Sequence, residues 1–522
     1  MRYSVGKAIL AVWRTQALKA VKSHPSLGFA RANGTYSQVT VINVAVVICI
    51  LVGASNLLGV ILQVPVVGYA NNYDFVRIEA CLGIWPVYDG VPTDPDEAAN
   101  GPKGWHPVPV QYYAYTKALL PTHCAPTADL VFVKIATLFR DERGLVDIRV
   151  VGLVRAALIF VIIAAAILLT DRLACRLQIA ILFFLIFGDI AYISYFNTLY
   201  TEYAVIAGLF FIVSGICTIG SGRPRFSALL IVFLGIALLS CSKVQYCYLA
   251  SALSLLVSLI LFGAHRNYAG AVIFLLLAAL GPGFFDFYSG RNFPVAAIMD
   301  WANRTDTYLQ AVLPEAQDAR SAVRRLGLPE HCTEEIGKGW FSPGERRPCP
   351  EVANVSRARL LALFAAEPRT LILPLWKSVA LSRPWYLSYG RVELPEAKET
   401  AFYKWATAVS FSGLIDRLPL NIYGLVVVVS IVLGAAAGIA ISLRALRHVG
   451  DLWTTGYVQM SLFVGGALSF YSLFSSVFGS GYTEVAKHAV GLPIGIFVQL
   501  SAVVTFGIIR LANHKWGCYR GR

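Results

Sequence analysis

YANNYDFVRIEACLGIWP, residues 69–86, ends a long apolar run with two Asn, an Asp, an Arg and a Glu in quick succession. What that cluster means depends on whether the run before it crosses a membrane, and on which side the chain emerges. Composition settles the first point. The 522-residue chain is 57% hydrophobic and 14% charged, whereas a soluble protein carries about a quarter charged residues. Apolar runs long enough to cross hydrocarbon recur at roughly 41–64, 150–170, 178–196, 203–220, 226–242, 246–263, 269–284, 420–443, 455–478 and 489–510. Continuous runs such as LVVVVSIVLGAAAGIAISL, residues 425–443, suit helices and not the short alternating strands of a barrel. The expected fold class is an all-α polytopic membrane protein of about ten transmembrane helices.

Charge settles the second point. The net charge is +14, yet the excess is not spread as a nucleic-acid surface would require. Lys and Arg gather in the start, the tail and the short connections on one side, among them Arg14, Lys22, Arg172, Arg225, Arg266, Arg444, Arg510 and Arg522. The acids there are Asp171 and Asp451. The positive-inside rule then predicts cytoplasmic termini and two long outer loops, 65–149 and 285–419. The layout is a basic cytoplasmic segment, 1–40, and a first transmembrane helix, 41–64. An outer loop, a six-helix block over 150–284, a second outer loop, three helices over 420–510 and a basic tail, 511–522, follow. Each outer loop holds two cysteines, Cys81 with Cys124 and Cys332 with Cys349, as disulfides in an oxidising compartment would. Within the second loop, residues 357–381 are apolar but broken by Arg, Glu and Pro, the pattern of helices lying on the outer membrane surface. Ala-rich helices and compact loops point to a bacterial inner membrane.

On this topology four polar clusters emerge on the outer side: NNYDFVR, YFNTLYTEY, SKVQY and GSGYTEVAKH. Polar groups beside hydrocarbon are costly and are usually kept for a role. Each also has a plainer reading. Asp189, placed inside the third span, can be a carboxylate bonded between helices to a Tyr or to Lys243. Asp74 can be a helix cap or a partner of Arg77, Glu202 and Glu484 can be interfacial, and Lys243, Lys487 and His488 can snorkel. The set suits transfer to a hydroxyl at the outer face. Asp74 can accept the proton of an attacking alcohol, and Lys243, Lys487, His488 or Arg77 can neutralise a departing lipid phosphate. Asn72, Asn197, Gln245 and tyrosines can bond sugar hydroxyls, and Trp85, Trp105, Trp301, Trp385 or the Tyr-rich QYYAY can stack on sugar rings. The NNYD segment has one acid, so no DxD-type metal site is supported and no cofactor is expected.

The order of these motifs resembles the polytopic GT-C glycosyltransferase superfamily, and within it bacterial envelope-glycan hexosyltransferase-like membrane proteins. The matching residues are Asn71-Asn72-Tyr73-Asp74-Phe75, Asp189 with Tyr195-Phe196-Asn197-Thr198 and Glu202, Ser242-Lys243-Val244-Gln245, and Gly479-Ser480-Gly481 with Glu484, Lys487 and His488. Tyr73 stands in place of a Gly, Val244 of a Pro and Ser480 of an Asp. The resemblance implies a polyprenyl-phosphate-linked sugar donor and a glycan or lipid acceptor. It also implies Asp74 as catalytic base and the other matched residues as substrate contacts. A polytopic transporter or a lipid or glycan flippase is the rival reading. Inverted repeats, common in that class, are not visible in the sequence.

Overall fold

The computed structural model describes residues 38–104, 108–221, 226–263, 266–292, 294–340, 347–387, 401–408, 410–447 and 456–517. The basic start, the last residues with Cys518, and Trp105 lie outside them. Among the described residues, seven helices are long and apolar enough to cross a membrane: Val39–Ile61, Ile148–Leu169, Glu202–Ser221, Val244–Gly263, Leu420–Arg444, Tyr457–Ser480 and Gly491–Leu511. Three shorter apolar helices, Leu173–Phe187, Phe226–Ser240 and Tyr268–Gly281, fall on the remaining apolar runs. The chain is therefore an all-α multi-pass membrane protein. Glu202–Ser221 is enclosed by its neighbours along its whole apolar length. It approaches Phe226–Ser240 so closely that a Cβ on Gly208 would lie 2.9 Å from the Gly235 carbonyl oxygen. Small residues permit this contact where no water is present to drive helices together.

The third apolar run departs from the expected continuous span. Its helix stops at Phe187, and Asp189 then caps a separate short helix, Ile190–Ile193, by accepting the Ala191 N–H at 3.0 Å. The same carboxylate accepts Ser410 Oγ at 3.0 Å, the Ser412 N–H at 2.7 Å and Ser412 Oγ at 2.6 Å. Asp189 is thus a junction between the break and the second long loop, and its side-chain partners are serines rather than a Tyr or Lys243. Asn56 donates to the Gly188 carbonyl at 2.9 Å and satisfies part of the backbone freed by the break.

The first long loop carries a small sheet that apolar periodicity did not announce. Strands β1 (Ile84–Tyr88), β2 (Val91–Pro92), β3 (Tyr112–Tyr115) and β4 (Leu145–Asp147) lie antiparallel in the order β2-β1-β3-β4. The Tyr-rich QYYAY becomes β3, and its alternation buries Tyr113 while exposing Tyr112. Both cysteine pairs are disulfides, Cys81–Cys124 and Cys332–Cys349. Trp85 and Trp385 are buried, their indole N–H groups bonded to the Ala118 carbonyl and the Tyr423 hydroxyl, both at 3.0 Å. Their hydrophobic area is already spent on packing, so neither offers a face to a sugar. In the second loop the apolar stretch forms two helices, Arg357–Ala366 and Arg369–Leu381, which expose Leu361, Ile372 and Trp376.

One fully buried cation fixes the first loop to the membrane helices. Arg155, within Ile148–Leu169, bonds Asp129 at 2.7 Å and the carbonyls of Tyr195, Phe196 and Thr198 at 3.0, 3.1 and 2.7 Å. Its guanidinium also lies over the Tyr203 ring. Arg suits this place because its planar fork serves several acceptors at once. Arg155→Gln strands a buried carboxylate and is expected to destabilise by about 3–5 kcal/mol, measured as an earlier thermal-unfolding midpoint in detergent. Adding Asp129→Asn is expected to recover part of that loss. No recovery would mean that the ion pair is not what the packing relies on.

Candidate active site

The cluster that follows the first span folds back onto the last polar segment of the chain. Asp74 bonds Arg77 through Oδ1 at 2.7 Å and Lys487 through Oδ2 at 2.5 Å. Lys487 is wholly buried, and its ammonium also contacts the Glu484 carboxylate. The second Glu484 oxygen accepts from the Asn72 amide, whose own oxygen accepts the Tyr200 hydroxyl at 2.7 Å. The Tyr200 ring lies beneath the Lys487 ammonium, 5.0 Å from its centroid, and packs edge-on against Phe75. Three segments remote in sequence, 72–77, 200 and 484–487, therefore meet at one point.

Charge balance makes the burial of Lys487 tolerable. Asp74 and Glu484 offset Lys487 and Arg77, and a buried ammonium between two carboxylates keeps its proton-donor positions occupied. Burial alone would push the Asp74 carboxyl up. The opposing charges of Arg77, Lys487 and Lys243 outweigh that and hold it well below the usual carboxylate range. His488 is held neutral, its imidazole pushed down by burial and by the nearby Lys243 and Lys487 charges. Its Nε2 lies 3.8 Å from Glu484, too far for a hydrogen bond. The His488 carbonyl accepts the Gln245 amide at 3.2 Å and the Tyr246 hydroxyl at 2.7 Å, which ties the SKVQY segment to the cluster. Beside them Lys243 pairs with the buried Glu202. Arg77 and Lys243 keep 26% and 14% of their side chains exposed, so these two cations can meet an incoming anion directly.

The remaining matched residues are engaged elsewhere. The Asn197 amide donates to the carbonyls of Ile61 and Val67 at 3.2 and 3.0 Å, fastening the exit of the first span. The buried Tyr195 ring packs 4.7 Å from Tyr69. Tyr200 was not singled out from the sequence, although it stands within YFNTLYTEY. Asp306 gave no sequence signal at all. It lies at the start of a π-helical stretch, Asp306–Val312, accepts the Thr483 hydroxyl at 2.5 Å and the Trp340 N–H at 2.9 Å, and so docks the second long loop on the 479–488 segment. Gly481 permits that contact, because a Cβ there would lie 2.5 Å from the Asp306 carbonyl. Tyr73 and Glu484 both have left-handed backbones, φ 70° and 51°. A Gly at position 73 would adopt that conformation without strain. Among the described residues a metal-competent grouping occurs at His331, Cys332 and Glu351. There Cys332 is committed to its disulfide and cannot ligate as a thiolate.

The Glu of the opening cluster points into the protein. Glu79 is fully buried, neither carboxylate oxygen has a hydrogen-bond partner among the described residues, and burial pushes its carboxyl from 4.5 up to about 8. The folded chain therefore holds a proton that the unfolded chain releases. This contribution to stability is whole below the unfolded value and declines as pH rises towards about 8. Glu79→Gln is expected to flatten the pH dependence of the unfolding midpoint over this window, with a gain of about 1–3 kcal/mol at its upper end. An unchanged slope would show that Glu79 is ionised in the fold.

No curated protein and no solved structure matches this chain. A family model described as the YfdI N-terminal transmembrane domain matches residues 32–504, which take in every segment of the cluster. The chain thus belongs to the YfdI N-terminal transmembrane domain family.

Proposed function

We propose that the protein is a membrane glycosyltransferase that moves a sugar from a polyprenyl-phosphate donor to an envelope glycan or lipid acceptor on the outer face. The observation that carries this reading is the Asp74 carboxylate, fixed between Arg77 and Lys487 at the end of the first span. The acceptor hydroxyl attacks the anomeric carbon. The new bond from the acceptor oxygen to that carbon forms as the bond from the carbon to the phosphate oxygen breaks. The hydroxyl proton passes to Asp74, and the carrier phosphate leaves with the electron pair. Arg77 and Lys243 bind the phosphate, and Lys487 holds Asp74 and Glu484 in place. Asn72, Gln245, Glu484 and His488 contact sugar hydroxyls.

A carboxylate whose proton affinity is depressed by three cations is a weak base. Phosphate arriving at Arg77 and Lys243 counters part of their charge and raises the proton affinity of Asp74 when donor is bound. Asp74 thus gains basicity only in the loaded site. Asp189 supports this reading over transport: its oxygens are engaged by two serines and a helix N–H, so this carboxylate is committed to the fold and not open to a cargo.

The test is mass spectrometry of envelope glycans from cells lacking the protein, complemented with native chain or Asp74→Asn at matched membrane abundance. Deletion should remove one sugar mass and the native chain should restore it. Asp74→Asn should slow transfer by about 10²–10⁴-fold. Full restoration by Asp74→Asn would remove the catalytic assignment, and an unaltered glycan profile on deletion would remove the transferase reading.

A further inference from the structure

The residue between the two site residues Asn72 and Asp74 is conformationally unusual. Tyr73 has φ 70°, a left-handed backbone that is a genuine outlier for a bulky side chain. The residue is nevertheless 40% exposed, so the strain is not offset by full burial of the ring. The conformation is secured at both ends. The Tyr73 N–H donates to the Gly104 carbonyl at 3.1 Å, the Asn72 side chain is held by Glu484 and Tyr200, and that of Asp74 by Arg77 and Lys487. The ring has a prepared seat. It rests against Gly104, where a Cβ would lie 2.6 Å from Tyr73 Cδ1 and 2.4 Å from the Ala98 carbonyl oxygen. Part of the ring packs on backbone, and the rest is open.

A strained position that the surroundings enforce is a recurrent mark of a functional site. An aromatic ring there also offers an apolar face with a polar tip. We infer that Tyr73 is the acceptor-recognition residue, its open ring surface stacking on a sugar ring of the acceptor whose hydroxyl faces Asp74. The inference rests on the transferase reading, because it takes the group adjacent to the base to be the acceptor. It commits to the acceptor and not to the donor, whose phosphate is met by Arg77 and Lys243. Strain at position 73 sets the ring beside Asp74 and limits which way it can turn.

The experiment compares Tyr73→Gly and Tyr73→Phe with the native chain. Each is expressed in deletion cells at matched membrane abundance, with the initial rate of sugar addition followed by mass spectrometry after induction. Unfolding midpoints are measured on the purified variants in detergent. Gly adopts a left-handed backbone freely, so Tyr73→Gly is expected to unfold no earlier than the native chain while adding sugar about threefold to tenfold more slowly. Tyr73→Phe, which keeps the stacking face, is expected to stay near the native rate. An earlier unfolding midpoint for Tyr73→Gly together with slow transfer would make the ring a packing element and overturn the inference. So would a native rate in Tyr73→Gly. The second result leaves the transferase reading intact, whereas a deletion strain with unaltered glycans removes that reading and this one with it.

Discussion

The site is organised around one ammonium group. Lys487 has no accessible surface and lies against the carboxylates of Asp74 and Glu484 with an aromatic ring beneath it. Removing a charge from water costs several kcal/mol, and here the cost is offset only if both acids arrive. One comes with the first long loop and the other with the last polar segment, so the pairing requires two segments far apart in the chain to meet. Asn72 and Tyr200 then use the remaining acceptor and ring positions. If either carboxylate is withdrawn, the cluster holds an uncompensated buried cation.

The rest of the structure delivers those partners. Arg155 gathers the carbonyls that follow the short Ile190–Ile193 helix and ties them to Asp129, which fixes the loop bearing Tyr200. Asn197 clamps the exit of the first span directly before the NNYD turn. Asp306 docks the second long loop through Thr483, one residue before Glu484. None of these three groups bonds Asp74, yet each fixes a segment that leads into the cluster. Buried polar residues here serve to specify where loops dock, a use consistent with their expense in an apolar setting.

Much of this was legible in the sequence, and the reasons are physical. Apolar runs of membrane length reveal the helices because hydrocarbon allows few alternatives. That Asp74, Arg77, Glu484 and Lys487 belong together followed from placing their segments on one face. The break after Phe187 was hidden, since Asp189 interrupts a run that remains apolar on both sides. The four-stranded sheet was hidden too: its strands are short, and β2 has two residues. Asp306 carried no signal because its partner is Thr483, far away in the chain. Trp85 and Trp385 looked like sugar platforms by type, but side-chain type does not reveal burial.

A single displacement with Asp74 taking the proton has a stereochemical consequence that binding or scaffolding does not share. The direct test is the product linkage, measured by NMR after purified protein in lipid nanodiscs converts a polyprenyl-phosphate hexose of defined anomeric configuration. The account predicts one inversion, so a β-linked donor yields an α-linked product. A β-linked product would contradict it, because retention requires a second displacement for which the Asp74–Lys487–Glu484 cluster has no assigned nucleophile.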